Sequence, residues 1–508
     1  MATTPLDLWS EETEEQNSQK GPKTIPQEEQ AVRKAEQPPH DIYDQLLQHF
    51  QDKMALNSKL DRKLVSSQDD KKQPFYRWFR YKEGFSSKLI SYLLTEVHSQ
   101  IGTLLDPFAG SGAALFSAAS LGWEARGIDV LPVGLHIFKA RIAALEVDKR
   151  RFAEAVNTIK HIDDFAQYYD PAYQLQHVAI TQGAFPPDTE KALVGYVAYC
   201  HASIADEHIR TLALFACFCV LEDISYTRKD GQYLRWDVRS GRSQGKQGKI
   251  FRKARIYAFS EALREKLAQI MHDLGEGTLF RDELTSVRQQ NPPQMTLGSC
   301  LEILPTLESQ SIDVILTSPP YCNRYDYTRT YALELVFLGN SHTDITNLRQ
   351  RMLSCTVENK TKRAEMEALY HRLERTEDFQ RIEEVFNTQH EFQRVLSILE
   401  SLKESLPNKN VIQLVRNYFY EMCFTVFEMA RILKPGGRII MVNDNVQYEG
   451  VEVAIDLLLA NVAEACGLTV EHIWMLEKGK GNSSQQMGEH GRNELRKGVY
   501  VWQKPTTL

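Results

Sequence analysis

The segment "IGTLLDPFAGSGAALFSAASLGWEARGIDV", residues 101–130, constrains the fold more than any other stretch of the chain. An apolar run delivers Asp106 to a turn containing Gly110 and Gly112. A helix of small residues follows, and a second strand ends at Asp129. Strand, helix and strand in so few residues form a βαβ unit, which builds a parallel sheet with a right-handed crossover. Glycines at such a turn let the backbone approach a ligand and take up positive φ. An acid at the end of the second strand, 23 residues after Asp106, is placed to bind ribose hydroxyls. The pattern is not GxGxxG, and no Gly-Lys-Ser/Thr follows, so a pyrophosphate cradle and a nucleoside triphosphate loop are disfavoured. A ligand with a ribose and no phosphate suits it.

A second constraint lies in "SIDVILTSPPYCNRYDY", residues 311–327. The apolar run Val314-Ile315-Leu316 stops at Thr317-Ser318-Pro319-Pro320-Tyr321. Two prolines end the hydrogen-bond ladder and hold a stiff loop between a hydroxyl and a phenol. Alone, the loop could simply close a core strand. In one sheet with "DPFAGSG" it is a candidate active-site floor.

Together "DPFAGSG" and "TSPPY" resemble the two signatures of S-adenosylmethionine-dependent methyltransferases that modify exocyclic amino groups of DNA bases. The resemblance extends to the "EGFSSKL" helix, the "GSCLEIL" strand and "RILKPGGRIIMVNDN", about half of the chain. It implies an α/β, Rossmann-like methyltransferase sheet with a C-terminal antiparallel hairpin ("LTVEHIWMLEK" and "RKGVYVWQK") and two mainly helical insertions. It also implies S-adenosylmethionine as cofactor. Phe85 and Ser86 would lie near its methionine end, Asp106, Phe108, Gly110 and Gly112 would form the main pocket, and Asp129 would hold the ribose. Ser299 stands where the family usually carries an acid near the adenine.

An aromatic exocyclic amine is a poor nucleophile because its lone pair is delocalised into the ring. Ser318 Oγ and the Pro319 carbonyl can accept its hydrogens as the nitrogen rehybridises, Pro320 stiffens the loop, and Tyr321 can stack on the base. The base must leave the duplex, since its amine is otherwise paired. Within the family a leading serine points to cytosine N4 and a leading aspartate to adenine N6. Carbon-5 methylation needs a Pro-Cys loop that is absent, and Cys322 is read as incidental. Asn323, Asp326 and Tyr327 are read as lining the mouth of the site or capping the next helix, and Asn443, Asp444 and Asn445 sit at a strand's end.

The net charge of −7 gives no global sign of nucleic acid, so any basic surface is local. Residues 228–255 carry ten basic residues against two acids, a bias that suggests phosphate contacts. The candidates are Arg228, Lys229, Arg235, Arg239, Arg242, Lys246 and Arg252, with Arg324 and Arg329 beyond the proline loop. A polar, glycine-rich loop at 478–492 is a second candidate for the groove. The domain reading is a mobile tail at 1–40 (with a possible partner peptide at Leu6-Asp7-Leu8-Trp9), a catalytic domain at 41–132, 296–340 and 408–508, a candidate DNA-recognition insertion at 133–295, and a helical insertion at 341–407.

Eight cysteines without metal-ligand spacing favour reduced thiols and no metal site. No apolar stretch is long enough to span a bilayer. With the resemblance, the expectation is a cytoplasmic bacterial enzyme on double-stranded DNA that makes N4-methylcytosine, with no membrane partner. The resemblance also implies the protective half of a restriction–modification system, with a cognate endonuclease acting on the same site. The rivals are adenine-N6 methylation, a tRNA guanine-N2 methyltransferase, a protein glutamine methyltransferase and a non-catalytic DNA-binding scaffold.

Overall fold

The computed structural model describes residues 42–60, 64, 73–81, 84, 86–231, 233–242, 250–275, 287, 291–476 and 495–506. The tail at 1–40, Phe85, Lys246 and the loop at 478–492 lie outside the described residues. The strands, in chain order, are β1 (Met54–Leu56), β2 (Thr103–Asp106), β3 (Glu124–Asp129), β4 (Thr227–Asp230), β5 (Tyr233–Trp236), β6 (Gln294–Leu297), β7 (Ile312–Thr317), β8 (Leu433–Asp444), β9 (Val446–Tyr448), β10 (Val451–Val453), β11 (Thr469–Met475) and β12 (Lys497–Gln503).

Eight of them form one sheet in the order β1-β11-β12-β8-β7-β2-β3-β6. Only β12 runs against its neighbours, β8 and β11; every other pairing in this sheet is parallel. This is the expected α/β, Rossmann-like sheet with a C-terminal antiparallel pair. The crossover from β2 to β3 runs through the helix Ala113–Ser120, whose small side chains are buried from Ala113 to Ala119. Small residues let that helix settle closely on the sheet. Leu104 faces one apolar cluster and its neighbour Leu105 the other, as strand alternation requires.

The first long intervening segment covers one face and the later helices of the second cover the other, while Ile345, Leu348 and Met352 join the first cluster. Phe215 and Leu263, from the segment after β3, join the cluster that holds Leu104 and Val314. Phe379 and Leu396, from the helices Thr376–Asn387 and His390–Ser401, join the cluster that holds Leu105 and Ile315. The first segment also carries the separate β4–β5 hairpin.

Two local readings change. The strand ascribed to "GSCLEIL" ends earlier, because β6 stops at Leu297 and Cys300–Ile303 is helical. Gly298 donates its N–H to the carbonyl of Asp129 at 2.8 Å, and the chain leaves the sheet there. The Lys434–Gly437 turn is a bulge within β8: the pairing with β7 steps from Ile312↔Leu433 to Val314↔Arg438. Gly436 adopts φ +79°, and a Cβ on Gly437 would stand 2.7 Å from the Asp313 carbonyl oxygen, so both positions suit glycine.

Candidate active site

Because β2 lies between β3 and β7, and β7 lies beside β8, four loops leave neighbouring parallel strands at one edge. That carboxyl edge is where open α/β sheets hold ligands. The pairing of Leu105 with Ile315 brings the ends of β2 and β7 together. Thr317 Oγ1 donates to Asp106 Oδ1 at 2.6 Å, and the same oxygen accepts from Phe108 N–H at 3.0 Å. Asp106 is thus a buried strut between the glycine loop and the proline loop. Burial pushes its carboxyl up to about 7, partly offset by these two hydrogen bonds.

Asp129 does comparable work from β3. Its carboxylate accepts from Gly110 N–H and Leu131 N–H, each at 2.7 Å. Burial raises this carboxyl to about 7 despite both bonds. Gly110 takes φ +54° and Gly112 φ +78°, and a Cβ on Gly112 would meet the Phe138 ring at 2.8 Å. Gly112 is therefore fixed by its own backbone and by packing. Gly134 lets its helix approach the glycine loop, since a Cβ there would fall 2.2 Å from the Gly110 carbonyl oxygen.

A cleft opens between these loops. Phe108, Gly110, Asp129, Ser299, Ser318 and Pro320 line it, with Tyr81, Val130, Leu131, Tyr327, Arg351, Met352 and Leu353. Seven of the sequence candidates, Tyr327 included, therefore meet in one cleft. Asp106 and Gly112 stand buried behind it. Ser86 caps the helix Ser87–Val97, accepting from Leu89 N–H at 3.1 Å and donating to the Leu64 carbonyl.

Ser318 Oγ donates to the Tyr321 phenol at 3.3 Å. Burial, then the nearby Asp444 carboxylate, hold the Tyr321 hydroxyl well above its ordinary pKa and keep it protonated. Asp444, at the end of β8, is paired with Lys497 of β12. Asn443 Nδ2 donates to Tyr418 Oη at 2.9 Å, which commits it to the fold. Burial likewise raises the Cys322 thiol, and a buried neutral thiol makes no nucleophile.

Beyond the loop, Asp326 caps the helix Tyr327–Thr330 and accepts from buried Arg349 at 3.0 Å. Arg329 pairs with Glu358 at 2.8 Å, and Arg324 adopts φ +66°. In the basic segment, Lys229 is buried against Glu334 and lies over the Phe79 and Tyr331 rings. Arg239 grips Asp237 with two bonds of 2.7 Å, and Arg242 donates to the Ala179 and Gln182 carbonyls. Arg228 and Arg252 are exposed, and Arg235 is partly so.

No family model matches the chain. It is 44% identical over 469 residues to the type II methyltransferase M.AvaI, found in Nostoc sp. and in Anabaena variabilis, with 91% of this chain and 92% of the relative aligned. It is 38% identical over 459 residues to the type II methyltransferase M.BsoBI of Geobacillus stearothermophilus, covering 88% of each. The chain belongs to the type II methyltransferases. The methyltransferases of this class act on DNA in restriction–modification systems, and S-adenosylmethionine is the methyl donor.

The cleft of this methyltransferase fits the nucleoside end of that donor. Asp129 is an acid whose burial exceeds what two backbone donors offset, and a ribose diol would supply two more. The cleft wall offers Phe108, Leu131, Met352 and Leu353 to an adenine ring. When bound, the donor supplies an electrophilic methyl on a sulfonium.

Tyr81, Met352 and Leu353 escaped the sequence reading. Tyr81 stacks on Tyr331 at 5.3 Å, and it belongs to the aromatic run 75–81, whose density was its only signal. Met352 and Leu353 are two apolar residues inside a long charged stretch, with nothing local to mark them. Among the described residues no helix is long and apolar enough to cross a membrane, and no group of three or more His, Cys, Asp or Glu is placed to hold a metal.

Proposed function

We propose that the enzyme transfers a methyl group to the exocyclic N4 of cytosine in duplex DNA. In that role it would protect the DNA of a bacterial cytoplasm from a cognate endonuclease that cuts the same sequence. The observation that carries this reading is the hydrogen bond from Ser318, which lines the cleft, to Tyr321. By sending its proton to the phenol, Ser318 keeps its lone pairs for the hydrogens of an incoming amine. The Pro319 carbonyl is the second acceptor, and Pro320 fixes the geometry. Tyr321 is the ring on which a flipped base stacks. Once methylated, the nitrogen loses its proton readily, so this chain needs no strong general base.

In this reading Phe108, Gly110, Asp129 and Ser299 contact the cofactor, while Asp106 and Gly112 shape its loop. The segment 133–295 faces the DNA. The test is to incubate the enzyme with duplex DNA and S-adenosylmethionine, digest to nucleosides and analyse them by mass spectrometry. N4-methylcytosine is expected. N6-methyladenine would overturn the base assignment, and no methylated base on varied DNA would overturn the reading.

A further inference from the structure

The β4–β5 hairpin presents two chemically distinct faces. Thr227, Lys229, Leu234 and Trp236 turn inward, and Lys229 anchors that face through its buried pair with Glu334. Arg228, Asp230, Tyr233 and Arg235 occupy the other face, and Arg228 and Arg235 are directly opposed cross-strand partners. Like charges directly opposite on paired strands repel, so this arrangement lowers the stability of a bare hairpin. One ring holds both guanidiniums: Arg228 Cζ lies 5.4 Å and Arg235 Cζ 4.8 Å from the centroid of Phe251. The Asp230 carboxylate approaches Arg235 at 3.3 Å, and it is half exposed to solvent.

The hairpin also stands beside the proline loop. Tyr325 Oη donates to the Gly231 carbonyl, at the hairpin turn, at 3.4 Å. β5 packs on the helix Tyr327–Thr330, whose first residue lines the cleft.

We propose that Arg228 and Arg235 form a clamp for one phosphodiester of the substrate DNA, set by the hairpin next to the target-base loop. The clamp rests on the DNA reading given above. A phosphate held between the two guanidiniums converts their repulsion into two charge-assisted contacts, and the Phe251 shelf keeps both side chains oriented for it.

The test uses the full-length enzyme, its Arg228→Ala and Arg235→Ala variants and the double variant. Binding of labelled duplex DNA is followed by anisotropy over a salt series, with calorimetry of S-adenosylmethionine and thermal melting alongside. Each single variant should weaken DNA binding about tenfold, the weight of one charge-assisted contact. The double variant should add little more, and its log K against log[salt] slope should be shallower by about 0.9, one phosphate's worth. Cofactor affinity should be unchanged, and melting temperatures should be equal to or above that of the unaltered enzyme. Unchanged DNA affinity in the double variant, additive losses with a slope change near 1.8, or lower melting temperatures in step with weaker binding would each overturn the clamp. Failure of the unaltered enzyme to bind DNA would overturn the DNA reading itself, and the clamp with it.

Discussion

The cleft at the carboxyl edge of the sheet and the basic segment make an instructive pair. Both stood out in the sequence, one by backbone-shaping residues and the other by charge. In the cleft, the acids that the sequence marks also hold the fold: Asp129 and Asp106 bind the loops that line it. In the basic segment folding sorts the marked residues into two groups. Lys229, Arg239, Arg242 and Lys253 spend their charge on Glu334, Asp237 and backbone carbonyls, whereas Arg228 and Arg252 reach solvent. A motif that dictates backbone geometry survives folding as read. A count of charges is divided by folding into buried and exposed halves.

Lys229 gives the contrast its sharpest edge. Lys229→Ala would strand the Glu334 carboxylate in the interior and should cost about 3–5 kcal/mol of stability, measured by urea unfolding. If stability holds while DNA binding falls, the ammonium serves the substrate and the division fails. In the cleft, replacing Ser318 and Tyr321 together by alanine should lower kcat about 10²- to 10³-fold, with cofactor affinity nearly intact. Methyl transfer at the unaltered rate would remove the proline loop from the chemistry.

Asp129→Ala should weaken S-adenosylmethionine about 10- to 100-fold in calorimetry, and Gly110 loses its carboxylate acceptor as well. Cofactor binding should also depend on pH. Because burial lifts Asp129 to about 7, ribose donors favour its ionised form, so affinity should rise by up to about tenfold per unit as pH climbs toward 7 and level off above it. Proton release on binding checks this, and Asp129→Asn should abolish it. For folding the sign reverses. A raised carboxyl pKa favours the native state in acid, and that contribution fades as pH rises from 3.8 to about 7. The smallest effect belongs to exposed Arg252: its replacement by alanine should change stability by less than about 0.5 kcal/mol, and the same unfolding curves would show it.

The sheet, the glycine turn and the proline loop were legible because each is a local constraint: an apolar run, positive φ, a broken ladder. The far wall of the cleft was not. Met352 and Leu353 reach it from more than 200 residues beyond the glycine turn, one in each apolar cluster, and no short-range signal carries such a contact. The hairpin itself did leave a trace. Asp230-Gly231 is a turn dipeptide, and Gly231 adopts φ +60°. Period-two alternation on either side would have separated Lys229 from Arg228 and Arg235, yet ten cations in one stretch hid that pattern.

The hydrogen bond from Thr317 to Asp106 joins the ends of two neighbouring strands, and with them the two loops that would carry donor and acceptor. The spacing of those loops is consequently written into the register of the sheet, so a change in how β2 pairs with β7 would be felt at both loops at once.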